Sequence, residues 1–369
     1  MKTVRWFFVF KQKQDAIEGS RSGRHISADM TTEDETDARR RRRGANGDTW
    51  TYALDASFAH AKNLTAALSA VKLSKRQRAR VRADARGVTF TAMDESKCCV
   101  ASANFRAETF AAYACDETGA MAGMRGGDST SVAFDVNLGA LIDVLGAFAS
   151  RDGEAEVRMR WPNREGLLTL ELESSRAGVD RDLRQCVYAA ISPEAVPEGE
   201  ERSDESSFRG ETNAFMLPTS TLKEIVDDLE WPCADVVIDV EADALRFSAS
   251  GPEIGDLTVD VDTSEGKLTE FTCREPAAFA YKYRFLKSAT AVGGNFLGGG
   301  GGGSGGGDEA VTMTRVAVSD TGFLKIVHLL HLSKSQVAFG SGGLNAFMVP
   351  VTFIVNPVEA EEASEDEQE

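Results

Sequence analysis

The chain contains two copies of one pattern, and that repeat constrains its fold more than any single motif. Residues 217–250 read LPTSTLKEIVDDLEWPCADVVIDVEADALRFSAS; residues 54–94 read LDASFAHAKNLTAALSAVKLSKRQRARVRADARGVTFTAMD. Each copy predicts a short apolar strand end, an amphipathic helix, an alternating strand, a tight turn and a second strand. The metric agrees: Leu64 and Phe90 are 26 positions apart in one copy, Leu222 and Phe247 25 apart in the other. A unit of this size is no short solenoid repeat, and it predicts two homologous domains.

Apolar spacing defines the helices. Phe58, Ala61, Leu64, Leu68 and Val71 recur at three- and four-residue steps, as do Leu222, Ile225, Val226 and Leu229, so each helix has one buried stripe. Asp55 or Ser57 and Thr219 or Ser220 are the expected N-caps, with hairpin turns at Gly87 and at Ala242-Asp243. A helix over 137–149 follows from Leu138, Leu141, Ile142, Leu145 and Phe148, and a short one starts at Phe285. The intervening segments, including 98–103, 183–190, 257–261, 336–339 and 346–355, read as strands.

The 369 residues divide by composition. Residues 1–48 are charged, lack periodicity and are expected to be disordered, with a five-arginine run at Arg39–Arg43 that is either a nuclear-import or nucleic-acid-binding arm or a solvated charge run. A first domain is expected at 49–192, an acidic, proline-containing connector at 193–208 and a second domain at 209–357. The second holds a glycine-rich loop at 293–307, and an acidic tail at 358–369 follows.

The formal charge of −17 argues against nucleic-acid binding until its distribution is considered. Residues 358–369 hold seven acids and no base, and residues 194–205 hold six acids and one base, so −12 lies in two segments outside the expected domains. What remains is near balance and compatible with a local basic face. The apolar run Trp6–Phe10 is too short to span a bilayer, and its continuation KQKQD is unlike a signal-peptide cleavage region. Six cysteines at irregular positions, Cys98 and Cys99 adjacent, make neither a metal spacing nor a disulfide framework, and read as reduced and intracellular.

No phosphate-binding loop, nucleophile elbow or zinc signature occurs. His328 and His331 lie three apart in an expected strand, on opposite faces, and are not a metal pair. Asp239, Glu241 and Asp243 alternate into a hairpin; paired carboxylates of this kind could hold Mg²⁺ for nuclease chemistry, but the pattern is the normal one of a solvated strand face, which is the stronger reading. Arg76, Arg78, Arg80 and Arg82 alternate with Gln77, Ala79, Val81 and Ala83, which puts four guanidinium groups on one strand face, for a partner or for solvent.

Two such repeats, an acidic connector and an acidic tail resemble the PCNA-like sliding clamps. LPTSTLKEIVDDL with VVIDVEADALRFSASG is similar to the opening of a clamp second domain, and FIVNPVEAEE to the family's last strand and tail. ESKCCVASANFRAETFAAYAC, VAFDVNLGALIDVLGAFAS and SDTGFLKIVHLLHL most resemble the Rad-one subunits of the heterotrimeric nine-one-one checkpoint clamp, over residues 50–362. The resemblance implies an α+β fold of two clamp domains, with helices lining a central hole and antiparallel sheets outside. It implies a nuclear, non-enzymatic scaffold without cofactor or metal, working with two related clamp subunits, a clamp loader, double-stranded DNA of any sequence, and checkpoint and repair proteins, and not with membranes.

By the same resemblance, DNA would meet Lys62, Lys72, Lys223, Lys282, Arg284 and Lys287, residue types that contact phosphates without reading bases. The second helix departs from the clamp pattern with Asp143 and no base, and the third with Glu224, Asp227 and Asp228. A partner-peptide pocket would involve Met93, Val196, Pro197, Ile354 and Pro357, unless these are ordinary core residues. Subunit edges would carry Leu183, Gln185, Val187 and Ala189 in the first domain and Leu257, Val259 and Val261 in the second. The alternatives are a metal-dependent 3'-5' exonuclease using Asp239 and Glu241, and a homotrimeric replication processivity clamp.

Overall fold

The structure of the chain, a computed structural model, describes residues 5–7, 52–115, 132–151, 156–174, 185–193, 208–230, 235–251, 255–264, 268–292, 312–331 and 348–358. After a short strand β1 (Arg5–Phe7) come β2 (Leu54–Phe58), α1 (Ala61–Ala70), β3 (Arg78–Asp84), β4 (Gly87–Met93), β5 (Cys99–Arg106), β6 (Ala112–Cys115), β7 (Val132–Asn137), α2 (Leu138–Arg151), β8 (Glu156–Trp161), β9 (Leu168–Ser174) and β10 (Gln185–Ile191). Then follow β11 (Glu211–Pro218), α3 (Thr219–Asp228), β12 (Asp235–Val240), β13 (Leu245–Gly251), β14 (Gly255–Val261), β15 (Glu270–Cys273), β16 (Ala277–Lys282), α4 (Tyr283–Thr290), β17 (Met313–Ser319), β18 (Leu324–His331) and β19 (Met348–Val355). From β2 to β10 and from β11 to β19 the order is the same: strand, helix, five strands, helix, three strands.

The pairing repeats as well. The first sheet runs β1-β10-β9-β8-β2-β6, the second β15-β11-β17-β18-β19-β5-β4-β3-β7, and the third β14-β13-β12-β16. The order β10-β9-β8-β2-β6 therefore corresponds to β19-β18-β17-β11-β15, and β5-β4-β3-β7 to β14-β13-β12-β16. What joins the two halves of the element order is β19 lying antiparallel to β5, with Val351 opposite Ala103, Phe353 opposite Ala101 and Val355 opposite Cys99. All of these pairings are antiparallel.

Burial follows the pleat and the helical period. On β3, Ala79, Val81 and Ala83 are buried while Arg78 and Arg82 are exposed, as the alternation predicts. Arg80 shares the arginine face but is half-buried, its Nε donating to Asp135 on β7 at 3.0 Å. Helices α1 and α2 pack on one another, as do α3 and α4. Leu64 and Leu68 of α1, Leu141 and Leu145 of α2, Leu222 and Ile225 of α3 and Phe285 and Leu286 of α4 turn into the core. Each contributes about 1.5–3 kcal/mol by leaving water. The described cysteines Cys98, Cys99, Cys115 and Cys273 are free thiols, and burial pushes that of Cys99 up to about 12.

Several local expectations are corrected. Phe58 ends β2 instead of starting a helix, and the N-cap residue of α1 is His60, without a side-chain cap hydrogen bond, in place of Asp55 or Ser57. Asp55 instead holds Arg158, and Arg160 stands 3.6 Å from it. Pro218 precedes α3; the Thr219 hydroxyl lies 3.0 Å from the Thr312 carbonyl instead of capping. The turn expected at Gly87 is Ala85-Arg86, and Gly87 opens β4 opposite Asp84. A strand precedes α2: Asn137 is the last residue of β7, and its Oδ1 accepts the Ala140 N–H at 3.0 Å.

Within the first 48 residues, where no order is expected, Arg5–Phe7 forms β1. The rest of that stretch lies outside the described residues, as do the Arg39–Arg43 run, residues 194–207 of the connector, the glycine-rich loop 293–307, the tail from 359 and the strand expected at 336–339.

Candidate DNA face and assembly edges

Because each helix buries one stripe, its other stripe turns away from the sheets. On α1 that stripe carries exposed Lys62; on α2 it carries exposed Asp143; on α3, exposed Glu224 and Asp228 flank half-buried Lys223 and Asp227. Lys72 is not on α1 as expected: it follows the C-cap Val71, with its Nζ near Gly139 at the start of α2. Three of the candidate cations lie on or beside α4, where Lys282 is the N-cap residue and Arg284 and Lys287 are exposed on successive turns.

Four of these cations stand beside acids. Lys223 pairs with Asp227 one turn on, and Lys287 on α4 pairs with Glu230 at the end of α3. Lys282 Nζ lies 3.4 Å from Asp235, its directly opposed neighbour across β12 and β16. The Arg284 guanidinium stands 3.7 Å from Asp94 in the β4–β5 turn, donates to Ser96 Oγ at 3.2 Å, and lies over the Phe285 ring. The spacing and residue types of the cations were legible in the sequence. Asp94, Glu230 and Asp235 were missed, since ion pairs between distant segments leave no local signal. Exposed pairs of this kind contribute about 0–1 kcal/mol, so an incoming phosphate can take the cation over with small loss. The face is thus locally neutralised, with cations in position.

The pocket residues separate. Met93, Val100, Ile354 and Lys325 stand opposite one another in turn across β4, β5, β19 and β18, one row on one face of the second sheet. Met93 and Pro357 are half-buried, Ile354 is buried, and Val196 and Pro197 lie outside the described residues. Lys325 Nζ lies 5.7 Å from the ring of Phe208, the last connector residue, which brings the connector's end to this row.

Of the edge residues, Leu183 lies outside the described residues, and Gln185 begins β10. Val187 and Ala189 are buried and point into the core, whereas Tyr188 and Ala190, which alternate with them, are half-buried. Over 188–190 the backbone is already paired with β1. Leu257, Val259 and Val261 are half-buried along β14, which among the described residues pairs only with β13. Among the described residues, three positions of the β10 edge are thus covered and the β14 edge is not.

Of the nuclease candidates, Asp239 has a cation beside it and Glu241 is exposed. Arg246 lies 3.8 Å from Asp239 and donates from Nε to Asp260 at 2.8 Å, which ties β12, β13 and β14 together. His328 is buried; its Nε2–H donates to the Ala289 carbonyl at 2.8 Å, leaving Nδ1 to accept the Thr314 hydroxyl at 2.8 Å. Among the described residues no three His, Cys, Asp or Glu side chains converge in a way that suits a metal. None of the helices described is long and apolar enough to cross a membrane.

No curated protein matches the chain. The family model described as "Repair protein Rad1/Rec1/Rad17" matches residues 53–292, from β2 through α4, which is more than half of the chain. That match agrees with the antiparallel sheets and four described helices of a PCNA-like α+β clamp fold, and the chain belongs to the Rad1/Rec1/Rad17 repair-protein family.

Proposed function

We propose that this chain is one subunit of a hetero-oligomeric checkpoint clamp that encircles double-stranded DNA in the nucleus and serves as a scaffold for checkpoint and repair proteins. The observation that carries this reading is the β19–β5 junction. By the repeat in pairing order, β10 is the counterpart of β19 and β14 the counterpart of β5. The junction that joins the two halves of the chain can therefore recur between chains, with β10 of one subunit against the β14-type strand of the next. Repeated head to tail with a rotation that closes, it makes a ring. Two clamp domains, one on each side of the 193–208 connector, are the natural division under this reading.

The cations around α4 then face the enclosed DNA, where they act on phosphates regardless of sequence. Side-chain chemistry along β14 and around β10 selects which related subunit joins each end, and a clamp loader opens the ring. The row through Met93 and Ile354, with Val196, Pro197 and Pro357, receives partner peptides.

The test is co-expression with related clamp chains, followed by sizing with light scattering. A complex holding one copy of this chain is expected. A stable homotrimer of the isolated chain would instead favour a replication processivity clamp. For the exonuclease alternative, Asp239 and Glu241 would have to hold the metal, and Asp239 stands 3.8 Å from Arg246. A Mg²⁺ titration separates the two, since a nuclease must show a saturable divalent site and a scaffold need not.

A further inference from the structure

The strand β1 occupies a specific place. Ile191 at the end of β10 stands opposite Leu168 at the start of β9, just as Val355 at the end of β19 stands opposite Leu324 at the start of β18. Residues 188, 189 and 190 thus correspond to 352, 353 and 354. On β19 those three positions are paired with Ser102, Ala101 and Val100 of β5. On β10 they are paired with Phe7, Trp6 and Arg5, antiparallel and in the same direction. In backbone terms, β1 does on β10 what β5 does on β19.

We propose that Arg5–Phe7 is a self-supplied edge strand, holding on β10 the place of the neighbouring clamp subunit's strand, and that it must leave before that subunit can join. This rests on the ring reading above. Two features suit a placeholder. It is short: β1 covers three of the seven residues of β10, whereas β5 covers five residues of β19, so a full-length neighbour outcompetes it. Its residues Arg5-Trp6-Phe7 combine a charge with two aromatic residues of high strand propensity, enough to pair without a long partner. An exposed edge is a template for wrong pairing, and a short strand laid over it keeps the free subunit from adding strands indiscriminately. The neighbour's apparent affinity is reduced by the fraction of chains in which the edge is covered, so displacement couples assembly to whatever else binds the first residues of the chain.

The experiment compares the whole chain, a chain lacking residues 1–10, and an Arg5→Cys/Ala190→Cys chain. Directly opposed antiparallel residues have Cα atoms about 4.5–5.5 Å apart, a separation that a disulfide spans. In the isolated proteins, amide hydrogen exchange over 185–191 is expected to quicken about tenfold when residues 1–10 are removed, with 168–174 in the sheet interior unchanged. Equal exchange at 185–191 overturns the cap. The second reading uses as probe the related clamp chains recovered by the co-expression above. The shortened chain is expected to bind its β10-side neighbour about tenfold more tightly, and the oxidised double-cysteine chain not to bind it until reduced. Equal binding by all three overturns the placeholder role. Faster exchange on shortening with no clamp chain bound by any form leaves the cap standing and overturns the ring reading instead.

Discussion

The Arg284 guanidinium on α4 stands 3.7 Å from the Asp94 carboxylate in the β4–β5 turn, a contact between the two halves of the repeated element order. Asp94 is itself fixed, since its Oδ1 accepts the Cys99 N–H at 2.8 Å and its Oδ2 accepts the Ser96 N–H at 3.0 Å. The turn therefore presents a prepared carboxylate, while the Arg284 side chain remains 65% exposed and reachable by a second anion. An exposed pair of this kind adds little to stability. Arg284→Ala is expected to shift unfolding free energy by less than about 1 kcal/mol. In the assembled ring it should reduce DNA retention at all sequences and lower the salt slope by about 1. Urea titration and retention on circular DNA across salt concentrations check the two halves of this expectation.

Lys282 and Lys287 extend the argument. Both lie beside acids, Asp235 and Glu230, so reversing them places like charges together and, under the proposed reading, removes two phosphate contacts. Lys282→Glu with Lys287→Glu should weaken retention more than Arg284→Ala does, equally for unrelated DNA sequences, with a shallower salt dependence. Retention and slope matching the unmodified ring would remove these residues from the DNA face.

What could be read from the sequence, and what could not, divides along physical lines. The buried stripes of α1 and α3 were legible because Leu64, Leu68, Leu222 and Ile225 keep helical spacing on helices with one wet face. The strand β7 was missed because Ala133, Phe134, Asp135 and Val136 are all buried, which hides the alternation that marks a half-buried strand. Asp135 reads as a solvent residue in isolation; the Arg80 guanidinium opposite, supplied by another strand, helps to make its burial tolerable. The caps failed because His60 and Pro218 close their helices without a side-chain hydrogen bond. The cations of the candidate DNA face were legible as residue types; their acidic partners, set by cross-strand register and helix packing, were not. β1 was illegible because three residues carry no period.

Gly87 is required by the β3–β4 hairpin. Its φ of +144° is one L side chains rarely adopt, and an added Cβ would lie 2.0 Å from the Phe105 carbonyl oxygen. The backbone cannot yield there, because Gly87 stands between Asp84 of β3 and Arg106 of β5. Gly87→Ala should cost about 2–4 kcal/mol, while Gly166→Ala, at φ +75° with no atom within 4 Å of the added carbon, should cost about 1–2 kcal/mol. Chemical denaturation of the two variants tests the ranking, and equal costs would show that the hairpin relaxes.

Met93 is the half-buried member of the row that continues through Val100 and Ile354. If partner peptides seat on that row, Met93→Asp should abolish capture of at least one repair partner while the ring still assembles, because a carboxylate in an apolar seat must be desolvated. Ring assembly lost together with capture would mark Met93 as a core residue.

His328 links α4 to the β17–β18 pair through Ala289 and Thr314, with the Phe353 ring edge-on at 6.1 Å. Burial drives its pKa down from 6.5 to about 4, and the hydrogen bond to the Ala289 carbonyl only partly offsets that. Since the folded state holds the imidazole neutral where the unfolded chain would protonate it, the folded protein binds fewer protons between those values. Its contribution is fully present above about pH 6.5 and is lost as pH falls toward 4, on the order of 3 kcal/mol over the whole interval. His328→Gln keeps a donor for Ala289 and an acceptor for Thr314 but cannot titrate. Its unfolding free energy should sit below that of the unmodified chain at pH 7.5 and converge with it toward pH 4.5, because the carboxylates titrating in that range are common to both proteins. Parallel curves from urea unfolding at pH 7.5, 6, 5 and 4.5 would show that His328 takes up its proton without leaving its place between α4 and β17.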